Sequence, residues 1–126
     1  MQRKKANWTT VKDAKVSRTT ASKKAAQRRL YLKARGWFLR AYPMCAVWCI
    51  QRGVDWRDVD NAMHAFAVGC PRSTEVHHVR GRNSGLLLNE RHWLPVASEN
   101  HSWIHTHIKE ARALGLIAAR GEWGKQ

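Results

Sequence analysis

The chain has 126 residues, 44% of them apolar, and a formal net charge of +14. That length admits one ordinary domain with a tail and excludes two, and the longest apolar run, Met44 to Ile50, is too short to span a bilayer. Three cysteines, and a basic opening (Met1 to Lys5) that leads into no apolar stretch, predict a reducing, cytoplasmic setting without a secretory signal.

The charge is concentrated at one end. Residues 1–40 hold thirteen Lys or Arg against the single acid Asp13. A cationic block of this density attracts a polyanion through phosphate contacts and counterion release, and Lys23, Lys24, Arg28 and Arg29 are candidate nucleic-acid contacts within it. Residues 1–21 read as a basic flexible arm that orders on DNA, and residues 22–126 as the folded domain. From about Ser22, Leu30, Ala34, Trp37, Phe38 and Ala41 mark one face of a helix that Gly36 weakens and Pro43 stops. A second helix is predicted over Asp55–Val68, with Asp55 as its N-cap, Val59, Met63, Phe66 and Ala67 as its apolar stripe and Gly69 at its end.

The pattern then shortens. Residues 74–79 alternate like a strand, Gly81 to Gly85 mark a loop, and Trp93 to Val96 read as a returning strand with Pro95 at an edge or end. Ser98 is the expected N-cap of a helix over Glu99 to about His107, and Glu110 to Ile117 suit a last short helix. The fold class expected is α+β.

Six of the seven histidines lie within residues 77–107: His77, His78, His92, His101, His105 and His107. His101 and His105 are four apart on a predicted helix, so both imidazoles leave one face, as two ligands of one ion require. His77 and His78 are neighbours on a strand and leave opposite faces, so one can bind metal while the other does something else. A hydrolytic site needs that division: an ion on the phosphate and a separate base for water. Arg80 and Arg82 follow the pair, where planar guanidinium donors could grip phosphate oxygens or simply keep a loop soluble.

The stretch Glu75 to Arg82 (EVHHVRGR), then Leu86 to Val96 (LLLNERHWLPV), then Asn100 to His105 (NHSWIH) resembles the small HNH endonucleases of bacteriophage genomes. The resemblance spans about residues 37–117 and implies a ββα-metal core at about 73–107. It assigns His77, His101 and His105 to a divalent metal, His78 to the general base, and His92 to the family's central Asn position, as a second catalytic residue that ties the loop between the strands and helps orient the base, so the motif reads H-H-H. The implied activity is metal-dependent hydrolysis of DNA phosphodiesters, by nicking or double-strand cleavage. Its implied partners are double-stranded DNA and, in a packaging rather than homing role, a phage terminase. Three imidazoles suit Zn²⁺, Ni²⁺ or Mn²⁺ better than Mg²⁺.

Many such proteins also carry a structural zinc held by two cysteine pairs. Here Ala97 and Asn100 stand where the second pair would be. A rebuilt zinc site from Cys45, Cys49 and Cys70, with His64 as a fourth donor, is an alternative to ordinary core packing of the thiols. The competing functions are a catalytically silent DNA- or RNA-binding protein that keeps the finger as scaffold, and a purely structural zinc site in place of the catalytic one.

Overall fold

The computed structural model describes the backbone of residues 8–125 and the side chains from residue 21 to residue 125, Val59 and Ser84 excepted, and nine elements run along these described residues. Two compact units divide at Lys33 and Ala34, against the boundary at 21/22 that composition suggests. The first, Met1–Lys33, is described by one helix, α1 (Trp8–Ala41), which continues into the second. Helical backbone thus takes in residues 8–21, where composition suggests a flexible arm. The cause is local: no Gly or Pro occurs between Trp8 and Arg35, and Ala, Lys, Arg and Gln recur there. Residues 1–7 of that arm lie outside the described residues.

In the second unit, Ala34–Gln126, the buried side of α1 is shifted from the expected stripe. Phe38 is buried, while Trp37 is 65% exposed. Phe38 meets Tyr42, Trp56 and Trp93 at ring-centroid distances of 5.1, 6.3 and 5.3 Å, and these aromatic side chains form one side of the core. Pro43 ends α1 as expected. The apolar run after it becomes a short helix, α2 (Ala46–Gln51), whose Ala46, Val47 and Cys49 are buried. Helix α3 (Val59–Ala67) starts at Asp58, whose side chain accepts the Asp60 N–H. Asp55 instead accepts the Arg57 N–H in the preceding turn, and Ala62 and Ala65 are buried on α3 in place of Met63.

The segments before α2 and before the sheet lie side by side. Cys45 N–H donates to the Pro71 carbonyl, Ser73 N–H donates to that of Pro43, and the Ser73 hydroxyl donates to that of Tyr42. This fixes the entry to β1 (Glu75–His78), which pairs antiparallel with β2 (Trp93–Val96) in the register Glu75↔Val96 to His78↔Trp93. Val79 N–H donates to the His92 carbonyl. Alternation from that bonded pair leaves Val76↔Pro95 at a non-hydrogen-bonded position, so Pro95 removes no ladder donor. Both strands are largely buried. Between them the loop is shaped by two 3-10 turns, Ser84–Leu88 and Glu90–His92.

Helix α4 (Ser98–Thr106) follows directly, with Ala97 rather than Ser98 in the cap position. It packs on β1 and α2. A break at His107 leads into α5 (Ile108–Ala113), which starts earlier and ends sooner than the pattern suggests. It ends because Gly115 adopts φ +79°, a left-handed conformation that costs glycine little. Leu116 N–H then donates to Ala111 and Gly115 N–H to Arg112, closing a Schellman turn. That turn sends Leu116 and Ala118 back over the sheet, where Ala118 N–H donates to Val79. The unit is thus α+β, with a two-stranded sheet enclosed by short helices. No helix among the described residues is long and apolar enough to cross a membrane.

Candidate metal centre

Strand periodicity sets the first half of the site. Glu75 and His77 are two residues apart on β1 and share a face, toward α4. On α4, His101 and His105 lie one turn apart and face back. The ligand atoms of His77, His101 and His105 all lie within 4.8 Å of one another, the only such group of three or more His, Cys, Asp or Glu donors among the described residues. Their ring centroids are 5.0 to 5.8 Å apart. These three histidines could hold a metal ion.

Outer hydrogen bonds orient two of the rings. His77 Nε2 lies 2.6 Å from the Leu116 carbonyl, to which it donates, so Nδ1 is the lone-pair nitrogen. His101 Nδ1 lies 2.9 Å from Glu75 Oε1, to which it donates, so its Nε2 carries the lone pair. These two lone-pair nitrogens, His77 Nδ1 and His101 Nε2, face each other at 3.3 Å. Two acceptors at that distance repel unless a proton or a cation lies between them. Convergence of a third imidazole, His105, fits a cation. With metal–nitrogen bonds of about 2.0–2.1 Å, a tetrahedral ion separates two ligand nitrogens by about 3.3–3.4 Å, the spacing found here. Histidines whose far nitrogens are tied to a carboxylate and a carbonyl are the usual arrangement around such ions.

Glu75 and the Leu116 carbonyl were not picked out from the sequence. Glu75 carried a signal, since it alternates onto the face of His77; Leu116 carried none, because only the Gly115 turn brings it there.

No protein-family model, curated protein or solved structure matches this chain.

Beside the cluster is a cleft of about 290 Å³ lined by Val76, His77, His78, Gly81, Arg82, His101, His105 and Trp123. His78, next on the strand after His77, therefore opens onto the same space. It is 7% exposed, hydrogen-bonded to the Leu87 backbone and set against the Trp93 ring at 5.7 Å. Burial, with the Arg82 guanidinium adding to it, lowers its pKa to about 4, so the ring is neutral at cellular pH. Burial holds His77 at about 4 as well, which leaves its nitrogen unprotonated for a cation.

The other residues singled out from the sequence are dispersed. His92 sits on the second 3-10 turn and is not among the residues lining the cleft; partial burial and the charges of Arg80 and Arg91 lower its pKa. Its backbone does the structural work, the carbonyl accepting Val79 N–H and the N–H donating to Asn89. Arg82 is exposed at the cleft. Arg80 is engaged elsewhere, donating to the Lys125 carbonyl at 3.1 Å and pairing with Glu122 at 3.7 Å. Lys23, Lys24, Arg28 and Arg29 are exposed on α1 in the first unit. His107 caps α4 and stacks on Trp103 at 4.8 Å, away from the donor group.

The alternative zinc site does not assemble. His64 is exposed on α3, lining a surface pocket with Trp48 and Arg52, whereas Cys45, Cys49 and Cys70 are buried. Cys49 donates to Met44 Sδ, and Cys45 Sγ accepts the Ala97 N–H. Burial, then the neighbouring Cys70, push the Cys49 thiol up to about 12, and burial raises Cys70 too. All three thiols are buried in the core, and among the described residues none joins a group of donors close enough to share an ion.

Proposed function

We propose that this chain is a divalent-metal-dependent endonuclease of the HNH kind, built on a ββα-metal core of β1, β2 and α4. The observation that carries this reading is the pairing of two features in one cleft. Three imidazoles converge with two lone pairs already oriented, and a fourth ring, neutral and buried, stands beside them. A structural site would need only the first feature.

His77, His101 and His105 would hold the ion, which when bound would supply positive charge to offset the charge building up in phosphodiester hydrolysis. Glu75 and the Leu116 carbonyl keep the His101 and His77 rings turned toward it. His78 accepts a proton from the water that attacks phosphorus as the bond to the 3′ oxygen breaks. Its low pKa keeps it in the accepting form over the whole neutral range, at the cost of being a weak base. Arg82, at the mouth of the cleft, offers paired donors to a neighbouring phosphate. Basic residues of α1 supply sequence-independent attraction to DNA. The all-nitrogen donor set favours Zn²⁺, Ni²⁺ or Mn²⁺ over Mg²⁺. Homing and terminase-assisted packaging are both compatible with such a site.

Plasmid cleavage by the metal-loaded protein tests the proposal. Supercoiled DNA should be nicked or linearised, EDTA should stop this, and zinc, nickel or manganese should restore it. His78→Ala should lower the rate at least about 100-fold while leaving metal affinity within a few-fold of the parent. Loss of activity and metal binding together would make His78 a ligand; cleavage indifferent to EDTA and to His78→Ala would end the proposal. A protein that binds DNA and metal but never cuts would be the silent scaffold.

A further inference from the structure

The proposed endonuclease reading leaves unused one large side chain in its own cleft, Trp123. The indole is 56% exposed although it lines the cleft with His77, His78, His101 and His105. Its seat is Gly81. A Cβ placed on Gly81 would meet indole Cε2 at 3.1 Å, Cζ2 at 3.2 Å and Nε1 at 3.4 Å. The atom shared by the two rings is nearest, whereas an edge-on approach would meet the rim atoms first. Gly81 therefore lies under one face of the indole, and the side chain stays more than half exposed. Gly81 also has φ +100°, so two independent constraints keep a side chain away from that seat.

The segment carrying Trp123 is pinned on both sides. Gly124 N–H donates to the Arg80 carbonyl at 2.7 Å, and the Arg80 guanidinium donates to the Lys125 carbonyl and pairs with Glu122. An exposed aromatic plate backed by glycine and held at its flanks is suited to stacking a flat ring. Arg82 lines the same cleft and brings a positive charge to it, whereas Lys125 pairs with Glu122 at 3.9 Å.

We infer that Trp123 stacks an unpaired nucleobase next to the phosphate delivered to the histidine cluster. A base inside a duplex has both faces covered by its neighbours, so this contact selects substrates with a base free to leave the stack: single strands, gaps, overhangs or junctions. The inference rests on the endonuclease reading for its location, not for its measurement.

Fluorescence anisotropy in EDTA tests it without any cleavage, using the full chain, a labelled oligothymidylate, the same strand with an abasic position, and a blunt duplex. Wild type and Trp123→Phe should bind the oligothymidylate with similar affinity. Trp123→Leu fills the seat but offers no ring, and with Trp123→Ala it should bind at least about fivefold more weakly. The abasic strand should narrow that difference, and the duplex should show little. Thermal melting of Trp123→Leu alongside Trp123→Phe separates lost stacking from lost folding. Equal binding by the Phe and Leu variants would overturn the platform. Tighter binding by Trp123→Ala would do the same and make the indole a cover. Failure of plasmid cleavage with every metal would sink the endonuclease reading while leaving these affinities readable.

Discussion

At the scale of single residues, the site depends on which imidazole nitrogen carries a proton. Glu75 decides this for His101 and the Leu116 carbonyl for His77. Removing such an outer partner leaves the ligand in place but free to rotate or change tautomer, which typically costs 10- to 100-fold in metal affinity. Glu75→Ala should therefore weaken zinc binding by roughly that factor, with Glu75→Gln falling between it and the parent because an amide oxygen still accepts. Competition against a chromophoric chelator reads both. An unchanged zinc affinity in Glu75→Ala would mean that the carboxylate only decorates the cluster. The residue types that make the site were legible in the sequence, since histidines four apart on a helix and a pair on a strand carry strong geometric content. His92 was legible only as a motif position. Side-chain periodicity has no bearing on a residue in a 3-10 turn, and there the backbone of His92, not its ring, makes the contacts that tie the loop.

Elements position those residues, and one turn does so from a distance. Gly115 closes α5 and returns the chain so that the Leu116 carbonyl meets His77. Any other residue at φ +79° is strained, so Gly115→Ala should lower stability by about 1–2 kcal/mol in urea unfolding. It should also weaken metal binding, whereas a surface change of equal stability cost, such as one on α3, should leave metal affinity alone. The strand–loop–strand–helix order and β2 itself were readable because alternation, a Gly/Asn/Ser loop and helical histidine spacing coincide. The buried side of α1 was not. Leu30, Trp37 and Phe38 fit a helical stripe equally well a few degrees round, and only the aromatic partners, Tyr42 one turn on at the helix end and Trp56 and Trp93 from two other segments, select Phe38 and leave Trp37 outside. The short helix α2 was hidden for a related reason, because an all-apolar run has no periodicity to show.

For the whole molecule, the second unit buries two histidines, His77 and His78, inside a protein of high positive charge. Burial disfavours their charged forms and holds both near 4 when no metal is bound. An unfolded chain returns them to about 6.5. The folded state thus binds fewer protons than the unfolded state between those values, and stability falls as pH falls across that window. Above about pH 6.5 the contribution is fully present, and by about pH 4 it is lost, at a cost on the order of a few kcal/mol for the pair. Urea unfolding in EDTA should show the midpoint dropping steadily from pH 7 to 4.5, and the double variant His77→Gln/His78→Gln should show a shallower drop. Saturating zinc at pH 7 should raise stability by about 4 kcal/mol when it exceeds its Kd a thousandfold, and that gain should shrink on acidification as protons compete for the same nitrogens. A metal-free protein equally stable at pH 7 and 4.5 would mean that both rings are already solvated, and a cluster open to water in that way would have lost the preorganisation that distinguishes it from scattered surface histidines.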